Sequence, residues 1–360
     1  MEDHSTDNRL DYLPEEVALR HSLLKKNVKQ PDVKKELARF HREHRTERPR
    51  RSVIVILSAL TGAVAALLLV FLIRKTEVND ARQDRPVTVY HADNTSTEVT
   101  LQDNSGATLT LDSNRESIDT LLGRYGAVVN IETNTLCYQG QTEAGEKEVR
   151  MQTLTTPRKK EFKVILADGT EVWLNAESQL SYPAVFKGDR RTIFLQGEAY
   201  FKVTADEQHP FLVQTENMQT TVLGTEFNVR CYSVNDTHVT LVQGSVEVAD
   251  TQGAHTVKII PGQNALLKSD GSFDVRNVDL ATYIEWKNGY FYFDEKPLIE
   301  VLCELGRWYN VEIVLARQNI GDLKVHFAAD RRESLEEAIH LLNSFRKFKV
   351  RKEDQKLIVE

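Results

Sequence analysis

Phe162-Lys-Val-Ile-Leu-Ala-Asp-Gly-Thr-Glu-Val-Trp-Leu174 reads as two short strands folded back on one another. Apolar, β-branched and aromatic residues recur at period two on both sides, and Asp168-Gly169 between them is a tight hairpin turn. A period of two sends alternate side chains to opposite faces, so one face of such a hairpin needs a core to cover it.

Outward from this hairpin the same pattern repeats at Arg191–Leu195, Ala199–Val203, Phe211–Val213, Thr221–Leu223, Phe227–Val229, His238–Val242, Ser245–Val248 and Val257–Ile260. Lys187-Gly188-Asp189, Gln196-Gly197, Gln243-Gly244 and Pro261-Gly262 punctuate these runs as turns. Many short strands at this spacing predict an all-β sandwich or β-roll over residues 106–280, with a helix or exposed loop near 112–124. Residues 74–105 are polar and read as a tether carrying a first strand near Val87–Tyr90.

From 286 to 360 the period changes. Tyr290–Phe293 is a strand, and Pro297 opens a helix with Leu298, Val301, Leu302, Leu305 and Trp308 on one face. Strands follow at Val311–Leu315 and Leu323–Phe327. Ser334 and Glu337 form a capping box ahead of a second helix, and two strands close the chain. The order is βαβ then βαββ, a weak repeat in a small α+β domain with an exposed sheet edge.

Upstream, Val53–Ile73 (VIVILSALTGAVAALLLVFLI) carries no charge. As a helix it is roughly 31 Å long, enough to span a bilayer core. It is too long, and too far from the N-terminus, for a secretory signal. Basic residues cluster before it at 34–51, so the positive-inside rule puts the N-terminus in the cytoplasm and the C-terminal bulk outside. Residues 1–52 carry a net charge of +3 in a chain of −7. That basic block fits topology and anionic headgroups better than direct nucleic-acid binding. Within residues 1–52 Leu13, Val17, Leu24, Leu37 and Phe40 form narrow apolar stripes at helical spacing, too little for a core of their own and suited to a partner.

Chemistry is sparse. There is no GxSxG, P-loop or GxGxxG, and His41-x-x-His44 lacks the glutamate of HExxH. Cys137, Cys231 and Cys303 are scattered, so no metal or cofactor is expected; Cys137–Cys231 pairing and buried free thiols both stay open. Carboxylates read as strand exteriors and turns. The one candidate reaction is self-cleavage at Gly224-Thr225, where the Thr hydroxyl follows a glycine carbonyl; a plain turn is the alternative.

Ala167–Ala176, Leu180–Pro183, Leu195–Val203, His209–Val213, Val222–Val229, Leu241–Val246 and Pro261-Gly-Gln263, in that order, resemble the FecR family of transmembrane anti-sigma factors. Trp286–Phe293 through Arg307–Val311 resembles that family's C-terminal domain, similar to the short N-terminal modules of secretins and TonB-dependent receptors. The resemblance implies a multi-domain membrane protein: a short α-helical cytoplasmic segment (1–52), one transmembrane helix (53–73), a tether (74–105), an all-β periplasmic domain (106–280) and a C-terminal interaction domain (286–360). It implies an extracytoplasmic-function sigma factor inside, held by the stripes above. Outside, it implies the signalling domain of a TonB-dependent outer-membrane receptor, for which Tyr290, Tyr292, Trp308 and Tyr309 are the candidate contacts. Membrane proteases would release the sigma factor at the bacterial inner membrane. A membrane-anchored binding module for an envelope ligand is the alternative.

Overall fold

The computed structural model describes residues 86–93, 97–111, 127–130, 134–138 and 150–360. The Val53–Ile73 run, the stripes of residues 1–52 and the 112–124 region lie outside them. Among the described residues no helix is long and apolar enough to cross a membrane. The chain divides at Arg85/Pro86 into two units, and the described residues belong to the second.

In chain order the strands begin with β1 (Val87–Tyr90), β2 (Thr100–Asp103), β3 (Thr108–Thr110), β4 (Ala127–Asn130), β5 (Thr135–Tyr138) and β6 (Met151–Thr156). The hairpin read from the sequence is β7 (Phe162–Ile165) and β8 (Glu171–Leu174), followed by β9 (Ser178–Pro183) and β10 (Arg191–Lys202). Next come β11 (Phe211–Gln214), β12 (Met218–Val222), β13 (Glu226–Ser233) and β14 (Asp236–Gln243). The last of this set are β15 (Val246–Asp250), β16 (Thr256–Ile259), β17 (Gln263–Leu267) and β18 (Phe273–Asn277).

The pairings resolve into two sheets. One runs β3-β2-β6-β9-β10-β11-β12-β15-β16. The other runs β4-β5-β7-β8-β10-β13-β14-β17-β18. Only β10 belongs to both among the described strands. Its first half pairs with β9 and β11, and Gly197 onward pairs with β13, joined by β8 from Ala199. The turn expected at Gln196-Gly197 is therefore a bend within one continuous strand. Gly197 makes the bend with φ +95°, and a Cβ there would lie 2.4 Å from the Ser178 Oγ. Between the sheets the alternating apolar residues meet as expected: Leu136, Leu154, Val164, Leu174, Phe201 and Phe227 are all fully buried.

Beyond the sandwich, α1 (Ala281–Ile284) and a short 3-10 turn lead to β19 (Tyr290–Pro297) and α2 (Leu298–Tyr309). Then follow β20 (Glu312–Leu315), β21 (Lys324–Asp330), α3 (Leu335–Ser344), β22 (Val350–Glu353) and β23 (Lys356–Val359). Asn310, left-handed at φ 52°, ends α2, and the Ser334–Glu337 capping box opens α3 as read. The two helices and both sheets of this module enclose a second core around Leu302, Leu305, Ile313, Leu342 and Leu357.

The strand near Val87–Tyr90 forms, but it does not begin the sandwich. It pairs antiparallel with β20 of the C-terminal module, giving a sheet in the order β1-β20-β23-β22, while β19 and β21 pair separately. One edge of β20 is thus covered by the chain's own tether strand.

Candidate functional site: a buried charged seam

Helix α2 is apolar along one stripe, so that stripe faces the module core. Its opposite side should face water, yet Glu304 is 4% and Arg307 5% exposed. Both are covered by the outer face of the second sandwich sheet. That face brings Asn175 just after β8, Glu198 from β10, and Asn228 and Arg230 from β13 to the same place. Glu198 lies on a strand exterior as expected, but that exterior is itself an interface, and Glu304 stands on α2 rather than on a strand or turn.

The side chains close into one network. Glu304 Oε2 accepts from Arg307 Nη1 (2.7 Å) and Arg230 Nη1 (3.1 Å). Its Oε1 accepts from Arg331 Nη2 (3.0 Å) and Asn175 Nδ2 (3.2 Å). Glu198 accepts from Arg230 Nη1 and Asn175 Nδ2 on Oε2, and from Asn228 Nδ2 on Oε1. Trp286 Nε1 donates to Asn228 Oδ1, and Arg331 Nη1 donates to Asn175 Oδ1. Beside the network an apolar patch of Trp173, Tyr200, Tyr283, Ile284 and Trp286 packs α1 and the following turn onto the sandwich.

Burial alone would raise the Glu304 carboxyl; the guanidiniums of Arg307, Arg230 and Arg331 outweigh it and hold it down at about 2. Burial, opposed by Arg230 and reinforced by Glu304, pushes Glu198 the other way. The two carboxylates therefore share cations unequally, with Glu304 the fixed anion. A cleft beside the seam is lined by Arg230, Asp236, His238, Lys296, Glu300 and Arg307. Burial drives the imidazole of His238 down to about 4, so it is neutral at physiological pH.

The four receptor-contact candidates divide. Trp308 Nε1 donates to the Arg331 carbonyl and its ring packs edge-on to Phe291, while the Tyr309 hydroxyl donates to the Glu333 carbonyl. Both are thereby built into the module. Tyr290 and Tyr292 stand half-buried on β19, paired with Asp330 and Ala328 of β21. Leu13, Val17, Leu24, Leu37 and Phe40 lie outside the described residues.

Gly224 and Thr225 form the approach to β13. A Cβ on Gly224 would meet the Ala205 backbone at 2.7 Å, and its φ lies outside the left-handed region. Thr225 is buried, and its hydroxyl donates to the Ser245 carbonyl at 3.1 Å. The three cysteines are free thiols, which resolves the open Cys137–Cys231 question. Among the described residues no cluster of His, Cys, Asp and Glu is arranged to hold a metal.

Two family profiles match this framework: FecR protein over residues 152–247, and FecR, C-terminal, over residues 290–359. Two crystal structures of a candidate anti-sigma factor from Parabacteroides distasonis ATCC 8503, at 1.65 and 2.50 Å resolution, are also similar, at 30% and 29% identity. Each has a TM-score of 0.53 and aligns over 98% of its own chain and 58% of this one. This chain belongs to the FecR family. No curated protein matches it. The first FecR profile covers Asn175, Glu198, Asn228 and Arg230, and the second covers Glu304, Arg307 and Arg331. The seam is where these two regions meet.

Because the Glu304 carboxyl is held below its ordinary value of 4.5, its stabilisation is complete above that pH and is lost as pH falls toward about 2. Glu304→Gln leaves three guanidiniums short of an anion and should cost about 3–5 kcal/mol at pH 7. It should also flatten the acid limb of stability in chemical denaturation run from pH 6 to pH 3. A variant as stable as the parent, with the same acid limb, contradicts this.

Proposed function

We propose that this FecR-family protein is a single-pass inner-membrane anti-sigma factor. Residues 1–52 hold an extracytoplasmic-function sigma factor in the cytoplasm through Leu13, Val17, Leu24, Leu37 and Phe40. The span at 53–73 carries the chain across the membrane. The sandwich and C-terminal module face the periplasm, where the signalling domain of a TonB-dependent outer-membrane receptor engages the module. Membrane proteases then free the sigma factor.

The observation that carries this reading is the 30% identity to a candidate anti-sigma factor over 98% of that structure. The family matches across both the sandwich and the module support it. The buried seam supports a relay as well: a module locked to its neighbour by charge passes on a change in position. No enzymatic turnover is proposed.

Self-processing is compatible with the same reading. The Thr225 hydroxyl would attack the Gly224 carbonyl carbon, the amide nitrogen would leave with the hydroxyl proton, and water would hydrolyse the resulting ester. For this the hydroxyl has to exchange its bond to the Ser245 carbonyl for the attack.

Deleting residues 1–52 from the full chain in cells should remove co-purification of the sigma factor and raise transcription from its promoters at least ten-fold. Unchanged transcription, with no sigma factor bound to the intact chain, contradicts the reading. For self-processing, the intact protein should run as two fragments divided at Gly224/Thr225 and Thr225→Ala as a single chain. A single band from the unmodified protein removes that step.

A further inference from the structure

Strand β1 is held by both halves of the molecule. From the sandwich, Glu177 accepts the Tyr90 hydroxyl at 2.7 Å, and Arg158 lies over the Tyr90 ring at 4.8 Å while donating to the His91 carbonyl. From the module, Gly306 of α2 leaves room for that ring; a Cβ there would come within 2.5 Å of Tyr90 Cδ1. Asn310 closes the strand's exit with reciprocal bonds to the backbone of Asp93.

The strand itself is short. It has four residues, none fully buried, and its register shifts between Thr88 and Tyr90. The edge beneath it is a good one: β20 carries fully buried Ile313 and Leu315 and is fixed on its far side by β23. A sheet edge of this kind accepts an extended strand from another chain through main-chain bonds.

We propose that β1 is a displaceable latch on the β20 edge, and that a strand from the periplasmic partner takes its place and so frees the tether. This deepens the function proposed above and rests on it for the partner and the span. The consequence is a change of reach. With β1 docked, the link between Ile73 and Val87 is residues 74–86, at most about 45 Å of chain. With β1 released the link extends to Val99, at most about 90 Å. The same event bares the backbone of 87–90, which a protease needs in extended form. Tyr90 is the keystone because it touches Glu177, Arg158 and Gly306 together.

The test uses the full chain in lipid nanodiscs. Tyr90→Ala should raise hydrogen exchange at residues 87–90 and 312–315 at least ten-fold and leave β13 and β14 unchanged. In a Cys303→Ala background, a disulfide between Thr88→Cys and Val314→Cys, which face one another in the ladder, should restore protection. In cells, Tyr90→Ala should give sigma-dependent transcription without inducer, and the disulfide should suppress it. Unaltered exchange at 312–315, or an equal rise across the sandwich, overturns the latch. If deletion of residues 1–52 raises transcription but Tyr90→Ala does not, the latch's regulatory role is overturned. If neither raises it while exchange rises as expected, the latch as a moving strand is supported and the anti-sigma reading fails.

Discussion

The carboxylate of Glu304, enclosed by three guanidiniums and an asparagine amide, is the interaction on which the rest of the second unit depends. Placing these charges out of water is expensive, and their attraction repays the cost only when the geometry is good and every oxygen is bonded. The carboxylates meet that condition, since both oxygens of Glu304 and both of Glu198 have donors, whereas Arg331 Nε is buried without a hydrogen-bond partner. Such a cluster contributes orientation more than net stability. An apolar seam of the same area would tolerate sliding, whereas the two directed bonds that reach Glu304 from the sandwich, from Arg230 and Asn175, favour one position of α2 against β13.

This makes α2 a helix with two different interiors. Leu298, Val301, Leu302 and Leu305 build the module, and Glu304 and Arg307 build the seam. Gly306 then serves a third purpose by admitting the Tyr90 ring. The tether strand, the module and the sandwich thus converge within one turn of one helix. Module and tether strand are in direct packing contact at Gly306 and Tyr90. The shared strand β10 does the corresponding work on the sandwich side: its bend at Gly197 joins the two sheets, and the very next residue, Glu198, enters the seam.

Much of the local structure was legible in the sequence because local rules decide it. The period-two runs, the Asp168-Gly169 turn, the capping box at Ser334 and the Pro297 helix start all depend on residues within a few positions of each other. What escaped was long-range. Pairing of Val87 with Leu315 has no sequence signal, since a half-buried strand in a polar stretch pairs equally well with any open edge. Gly197 looked like a turn because a left-handed glycine breaks strands more often than it bends them. Glu198 and Glu304 looked solvated because their burial depends on a second domain arriving. One signal was available: Glu304 and Arg307 stand three apart on α2, within one turn, beside Leu302 and Leu305, where a charged pair is costly unless something covers it. The family resemblance, by contrast, was carried by motifs whose polar members, Asn175, Glu198 and Asn228, prove to be the seam itself.

The central claim is that charge across the seam holds the module to the sandwich in one orientation. A double-mutant cycle between Glu304→Ala and Arg230→Ala, read by chemical denaturation of the full chain, tests it most directly because the pair spans the two domains. The account predicts a coupling energy of about 1.5–3 kcal/mol, with the double variant less destabilised than the sum of the single ones. Additive effects, with coupling near zero, would mean that the apolar patch around Trp286 holds the two domains together and that the charges merely tolerate their burial.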